Sequence, residues 1–317
     1  MVCYHPVRCW ISKTVNPSGK RSLVHNISQA LQPDDPKSRK CGQCSGCNLD
    51  KSREWATRCC HEASLYKENV FITLTYDDDH LPSNRSLDHS HFQNFMKSLR
   101  DKFKYVGADG VNPIRNYMCG EYGTLNGRPH YHACLFNVAF DDKKLWKIVN
   151  NNRLYISDTL EKLWKKGFCT VGDVTFESAA YVARYMMDRI RVSDASPLDI
   201  QMRWVHKYVD FETGEVRKEE YNEPSRRPGL GKGFFDLYSS DIFPHDYIVL
   251  NGVKQRPPKY YDGLLELTRP YEFDCIKERR EKDARTSSNW VDNNTLSRLH
   301  VREQVKFASM KLLKREV

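Results

Sequence analysis

Two imidazoles one residue apart, His130 and His132 in GRPHYHACLF, are the clearest chemical feature of the sequence. The short apolar run that follows them reads as a β-strand. On a strand, residues i and i+2 share a face about 7 Å apart, so both rings can converge on one divalent ion. The run before them carries Glu121, and the turn between contains Asn126-Gly127, a hairpin signature. A register that pairs Glu121 with either histidine puts the carboxylate on the same face. Two nitrogens and a carboxylate make a mixed site with open positions, able to polarise a phosphate or carbonyl oxygen. A second His-x-His, His89 and His91 in LDHSHF, opens a helix instead. There two residues lie about 200° apart around the axis, and that pair does not chelate.

A nucleophile comes from YVARYMMDR. Tyr181 and Tyr185 are at i and i+4, one turn apart on one helix face, with Arg184 beside them. Small Ala179, Ala180 and Ala183 let that helix lie close to a sheet, with Ser178 as its expected N-cap. A phenol with a reference pKa of about 10 attacks poorly near neutrality unless its electrophile is metal-activated or its own pKa is lowered.

Cysteines form the third constellation. Cys41, Cys44 and Cys47 make C-x-x-C-x-x-C, a spacing that suits structural Zn²⁺ with a fourth ligand from elsewhere. Cys3 is the favoured fourth ligand, with Cys59, Cys60 and His61 as other candidates. An iron–sulfur cluster and uncoordinated thiols are the competing readings. Cys119, Cys134, Cys169 and Cys275 read as buried thiols. The count of eleven cysteines is odd, and the first residues lack the apolar core of a secretory signal. A reducing compartment is therefore expected.

The elements that must position these groups follow from periodicity. NVFITLTY alternates β-branched and aromatic residues and reads as a strand. Phe92, Phe95, Met96, Leu99 and Phe103 fall at helical spacing, with Lys97, Arg100, Lys102 and Lys104 among them. A helix is expected over Leu49 to Lys67, short helices or turns in KKLWKIVNNN and SDTLEKLWKKG, and a strand in FCTVGDVTF. Residues 1–40 look polar and turn-rich. The tail from Arg269 is charged and helical in propensity. This order predicts an α+β fold, an antiparallel sheet flanked by helices.

The 317 residues carry a formal charge of +9, with a mean hydropathy of −0.70. Charged residues at 29% and aromatics at 12% indicate a folded chain rather than a disordered one. The positive balance suits a polyanionic partner. Arg226, Arg227 and Lys232 in SRRPGLGKGFF, and Lys97 and Arg100 on the amphipathic helix, are the candidate phosphate contacts. No window has the apolar length of a membrane span, and GLGKGF lacks the Walker frame of an ATPase.

Taken together, CYHP, CGQCSGC, FITLTY, GEYGTLNGRPHYHACLF, YVARYMMDR, PGLGKGFF, DIFPHDYIVLNG and PPKYYDGLLE resemble, in order, the HUH (His-hydrophobic-His) endonuclease superfamily. The resemblance is closest to the rolling-circle replication initiators of microviruses, especially the gokushovirus branch. It implies an RRM-like HUH core that nicks one strand of replicative-form viral DNA at its origin. His130, His132 and Glu121 would hold Mg²⁺ or Mn²⁺. Tyr181 would form a 5′-phosphotyrosine, leaving a 3′-hydroxyl as primer, and Tyr185 would act when the circle closes. The superfamily often has lysine where Arg184 stands. Arginine can clamp a phosphate but does not shuttle protons at ordinary pH. The partners implied are single-stranded and replicative-form DNA, with a host helicase and polymerase, in the cytoplasm of a bacterial host and without a membrane.

The expected organisation is a Cys-rich segment over 1–66, an endonuclease core over 67–195 and a basic extension over 196–317. Two other functions compete. A mononuclear iron oxygenase also uses two histidines and a carboxylate, but its usual His-x-Asp/Glu order is absent. A non-catalytic nucleic-acid binder organised by zinc would not need the tyrosines.

Overall fold

The computed structural model describes residues 3–123, 126–149, 152–184, 202, 205, 207–209, 214–286 and 293–311. The chain divides into two compact units. Met1–Asp50, Arg189–Asp194 and Ala284–Lys314 form one; Lys51–Asp188, Ala195–Asp283 and Arg315–Val317 form the other.

In the first unit, β1 (Val7–Val15) pairs antiparallel with β2 (Arg21–Val24) and β3 (Lys37–Arg39). Residues 1–40 are therefore a small sheet and not merely turns. Its outer strands are almost wholly exposed, so no alternation of apolar residues betrays them. Helix α1 (Ser45–Ala63) starts inside the cysteine motif, four residues before the expected Leu49, and ends before Lys67.

The second unit is built on a seven-stranded sheet whose pairings are all antiparallel. Its members are β4 (Asn69–Thr75), β5 (Arg115–Tyr122), β6 (Pro129–Phe136), β7 (Lys144–Val149), β8 (Asn152–Ile156), β9 (Cys169–Gly172) and β10 (Tyr221–Pro224). They lie in the order β10-β5-β6-β4-β9-β8-β7. Period-two alternation gives this sheet two apolar faces. One buries Ile72, Leu74, Met118, Tyr131, Ala133 and Leu135 under α2 (His89–Lys102) and α3 (Asp158–Trp164). Asp88 caps α2 by accepting from the Ser90 N–H. The fully buried Leu99 alone contributes about 2 kcal/mol by leaving water.

The other face carries Phe71, Tyr117, Cys119, Cys134 and Phe136. It is covered by α1 and by α4 (Phe176–Arg184) through Ala179, Val182 and Ala183, all fully buried. Small alanines let α4 approach this closely. Trp55 on α1 stacks on Tyr117 at 4.9 Å. The Arg58 guanidinium in turn sits between Trp55 and Tyr260, at 4.1 and 3.9 Å from the rings. The fold is thus α+β with an antiparallel sheet between helices, as the periodicities require. Downstream come α5 (Lys232–Ile242), the pair β11 (Ile248–Leu250) and β12 (Val253–Gln255), α6 (Lys259–Thr268), α7 (Pro270–Thr286) and α8 (Leu296–Lys311). No helix among the described residues is long and apolar enough to cross a membrane.

Three local expectations are corrected. KKLWKIVNNN is not a helix or turn; it forms most of the β7–β8 hairpin. Ser178 is the third residue of α4, and Thr175 takes the cap. The Thr175 N–H donates to Ser178 Oγ at 2.8 Å, while the Ser178 N–H donates to Thr175 Oγ1 at 3.1 Å, a reciprocal capping box. Cys275 is exposed, not buried.

Candidate functional site

The β5–β6 register places Glu121 directly opposite His130, and Cys119 opposite His132. Gly127 makes the connecting turn at a positive φ of 58°. All three candidate ligands therefore stand on the face covered by α1 and α4. His130 Nε2 and His132 Nε2 lie 2.7 and 2.8 Å from the same atom, Glu121 Oε1. The three ligand atoms are within 4.8 Å of one another.

The other ring nitrogens are already committed. His130 Nδ1 is 3.1 Å from the Arg128 carbonyl, which only accepts, so that nitrogen carries the proton. Its Nε2 lone pair then faces the site unless the ring is doubly protonated. His132 Nδ1 is 2.9 Å from Thr73 Oγ1, its cross-strand neighbour on β4. Such outer contacts fix ring orientation in metal sites. Thr73 is a residue the motif reading missed, although its alternation with Phe71 and Thr75 marks it as sharing this face.

The electrostatics are those of three groups sharing a dry site. Burial opposes ionisation of Glu121, but hydrogen bonds and attraction from both histidines win and hold it at about 2. Burial pushes His130 down, yet its hydrogen bond and attraction to Glu121 outweigh this and leave it raised. His132 is lowered by burial despite the same carboxylate. Glu121 Oε2 is buried without a hydrogen-bond partner. An anionic carboxylate with an orphaned oxygen, facing two imidazole nitrogens, fits a cation; the group could hold a metal ion.

Tyr181 reaches this site from α4. Its hydroxyl donates to Glu121 Oε1 at 3.3 Å, and its ring meets His132 edge-on at 5.0 Å. The helix carrying it is pinned on both sides. Ser52 on α1 donates to the Ala180 carbonyl at 3.3 Å, and Asn222 on β10 donates to the Val182 carbonyl. Arg184 ends the described part of α4 and its side chain lies outside the described residues, as does all of Tyr185.

The candidate phosphate contacts do not gather here. Lys97 and Arg100 belong to α2, on the opposite face of the sheet, where an Arg100 amine donates to the Ile114 carbonyl at 3.4 Å. Arg226 and Arg227 follow β10 beside Asn116. That is five residues, or about 17 Å, along β5 from Glu121. Lys232 pairs with Asp236 at 2.6 Å within α5.

The second metal-competent group lies in the first unit. Cys3, Cys41, Cys44 and Cys47 bring four sulfurs within 4.8 Å of one another. The Cys41–Cys47 and Cys3–Cys44 pairs are 3.9 and 4.0 Å apart. Backbone N–H groups of Tyr4, Cys41, Gln43 and Cys44 point at these sulfurs over 3.2–3.4 Å. Burial raises Cys3 and Cys47. In Cys41 burial acts in the same sense but is overcome by the N–H groups of Gln43 and Cys44, which leave its thiol lowered. Leu299 of α8 closes the cluster, and Glu303 of the same helix bonds His5 at 2.7 Å and Ser45 at 3.1 Å. Cys59, Cys60 and His61 are not part of this group; His61 Nδ1 is 2.7 Å from the Tyr261 hydroxyl.

Comparison with known proteins agrees with this arrangement. The family model for replication-associated proteins of the ORF2 type matches residues 69–190, a span that contains Glu121, His130, His132 and Tyr181. The Replication-associated protein ORF2 of Spiroplasma virus 4 is 35% identical over 259 residues, covering 77% of this chain and 73% of that protein. The Replication-associated protein VP4 of Bdellovibrio phage phiMH2K is 29% identical over 289 residues, 89% of this chain and 84% of that protein. The Replication-associated protein ORF4 of Chlamydia phage 1 is 30% identical over 249 residues, 74% of this chain and 55% of that protein. No solved structure gives a significant match. The chain belongs to the microvirus family of replication-associated proteins.

Proposed function

We propose that the chain initiates rolling-circle replication by nicking one strand of viral DNA at its origin, through an HUH-type core within residues 67–195. The observation that carries this reading is the approach of the Tyr181 hydroxyl to the carboxylate oxygen that also meets both histidines. In this reading Glu121, His130 and His132 hold Mg²⁺ or Mn²⁺. A cation there supplies Lewis-acid polarisation of a non-bridging phosphate oxygen.

The chain's own residues do the rest. Arg128 and Thr73 fix the two rings, and Ser52 and Asn222 hold α4 so that Tyr181 faces the scissile phosphate. Tyr181 Oη forms a bond to phosphorus and the phosphorus–O3′ bond breaks. The phenolic proton is lost, and the leaving oxygen gains one to become the 3′-hydroxyl primer. The 5′ end remains on the protein as a phosphotyrosine, which conserves the bond energy for rejoining. Tyr185 takes the second cleavage, and Arg184 clamps a phosphate.

Zn²⁺ at the four cysteines is structural. A tetrahedral ion with Zn–S bonds of about 2.3 Å has sulfur–sulfur edges of about 3.8 Å, against 3.9 and 4.0 Å here. An iron–sulfur cluster would spread its thiolates around several irons. The proposed partners are single-stranded and replicative-form origin DNA, contacted in part by Arg226, Arg227, Lys232, Lys97 and Arg100. A host helicase and polymerase complete the set in the bacterial cytoplasm.

Incubating the protein with origin oligonucleotide and Mn²⁺, then resolving it under denaturing conditions, tests the reading. A metal-dependent covalent adduct on a tyrosine is expected. DNA binding without any adduct would leave the zinc-organised binder as the correct function.

A further inference from the structure

The β7–β8 hairpin at the sheet edge is unlike the rest of the larger unit. Its outer strand leaves Leu145, Trp146 and Ile148 exposed at 55%, 44% and 60%. From Lys143 to Tyr155 the sequence has four basic residues, Lys143, Lys144, Lys147 and Arg153, and no carboxylate. Natural sheets protect an edge with charge but rarely display tryptophan there, because an apolar edge invites aggregation. An exposed edge tryptophan among lysines calls for a partner that is both flat and anionic.

The ladder shows how Trp146 is aimed. Leu145 pairs with Tyr155 but Lys147 pairs with Leu154, so Trp146 is the extra residue of a bulge. A bulge bends its strand and redirects a side chain. Trp146 accordingly meets Phe168, ring centroids 4.8 Å apart at 62°, with Lys147 Nζ 4.1 Å from the indole. Phe168 is itself 42% exposed.

Phe168 is held by the sheet. The Thr75 N–H donates to the Phe168 carbonyl at 3.1 Å and Thr75 Oγ1 to the same oxygen at 2.7 Å. Leu74 pairs with Cys169, so Phe168 stands opposite Thr75, and Thr75 stands opposite His130. Opposite residues share a face. Phe168 is thus on the His130 face, two strand spacings or about 10 Å from it. Gly167 permits this approach. A Cβ there would lie 2.4–2.7 Å from backbone atoms of Thr75, Tyr76 and Asp77.

We infer that Trp146 and Phe168, with Lys147, form a stacking platform for bases of single-stranded DNA flanking the site at Glu121, His130 and His132. Only the word "flanking" rests on the nuclease reading. Stacking is sequence-tolerant because every base has a π-face, and the lysines answer the phosphates. Single strands fit better than duplex, because the rings need unpaired bases.

The test uses a fluorescein-labelled oligothymidylate with the full-length protein in EDTA, so that binding is read without cleavage. Trp146→Ala should weaken binding about ten-fold or more, Phe168→Ala comparably, and Trp146→Phe by less than about three-fold. Lys147→Gln should lower the slope of log K against log salt by about 0.7. Both aromatic positions are solvent-facing, and matched thermal melts confirm folding; should one alanine variant unfold, the other decides. Unchanged affinity in a folded Trp146→Ala or Phe168→Ala protein overturns the platform. So does a concentration-dependent dimer, lost in Trp146→Ala, with DNA affinity intact; that would make the edge a self-association surface. The nuclease reading is scored separately by the wild-type adduct. An adduct with unaltered oligothymidylate binding in the variants sinks only the platform, and the converse sinks only the nuclease.

Discussion

Replacing Tyr181 with phenylalanine separates chemistry from packing at this site. The change removes one oxygen and leaves the ring, so the edge-on contact with His132 at 5.0 Å persists. One hydrogen bond is lost, a long one of 3.3 Å to Glu121. Glu121 Oε1 keeps its contacts with His130 and His132 at 2.7 and 2.8 Å, so no new orphaned atom is created. The stability cost is therefore about 1 kcal/mol, a melting shift of roughly 2–4 °C in a domain of this size. The phenol oxygen, in contrast, is the atom that bonds to phosphorus. Adduct yield on an origin oligonucleotide with Mn²⁺ should fall below detection, while oligonucleotide affinity changes by less than about five-fold. Adduct and melting are measured on the same preparation. A Phe variant that forms adduct at the wild-type rate refutes the assignment. Peptide mapping of the wild-type adduct then decides between Tyr181 and Tyr185, and an adduct on Tyr185 alone reverses their order.

Removing both imidazoles, His130→Ala with His132→Ala, should abolish metal-dependent nicking while the circular dichroism spectrum is retained; persistent nicking would exclude the site. Metal analysis of purified protein should give about one zinc equivalent, lost when Cys41, Cys44 and Cys47 become serine. Metal-free protein with an unchanged melt in that variant would favour uncoordinated thiols. His61, buried against Phe234 and Tyr261 and lowered by that burial to about 4, predicts a pH dependence of stability. The unfolded imidazole protonates near 6.5 and the folded one only near 4. Stability is thus complete above about 6.5 and is lost as pH falls toward 4, by up to about 1.4 kcal/mol per pH unit. His61→Gln should remove that component from denaturant melts between pH 7.5 and 5, and an identical slope in the variant would show that another group carries it.

The centre of the sheet was legible because each of its strands buries both faces, so alternation and apolar content agree. His130, His132 and Glu121 could be brought together on paper because Asn126-Gly127 limits the hairpin to few registers. What escaped was structure without a burial pattern. The first-unit strands Arg21–Val24 and Lys37–Arg39 are exposed almost throughout. In KKLWKIVNNN the bulge at Trp146 breaks the period of two, leaving apolar spacings that imitate a helix turn. Cys3 joins a cluster 38 residues away through the fold, a proximity no local spacing encodes. Cys275 lies on a highly charged helix whose exposed face gives a lone thiol no signature.

The two helix-facing sides of the sheet also explain why basic composition alone located the DNA contacts poorly. Lys97 and Arg100 satisfy the pattern of a basic amphipathic helix, yet α2 covers the face opposite the histidines. Charge periodicity reports which side of a helix meets water, not which side of a sheet the helix covers. The face is set by strand parity. Odd-numbered residues of β4 and β5 and even-numbered residues of β6 share the histidine side, and Phe168 joins them only through its pairing with Thr75. An aromatic platform on that side lies within about 10 Å of His130, whereas the α2 cations are separated from it by the sheet itself. If single-stranded DNA reaches Tyr181 along the histidine face, Trp146→Ala must weaken oligothymidylate binding more than Lys97→Ala does. The opposite ranking would mean that the strand crosses the α2 face, and that the sheet parity which organises the site does not organise its substrate.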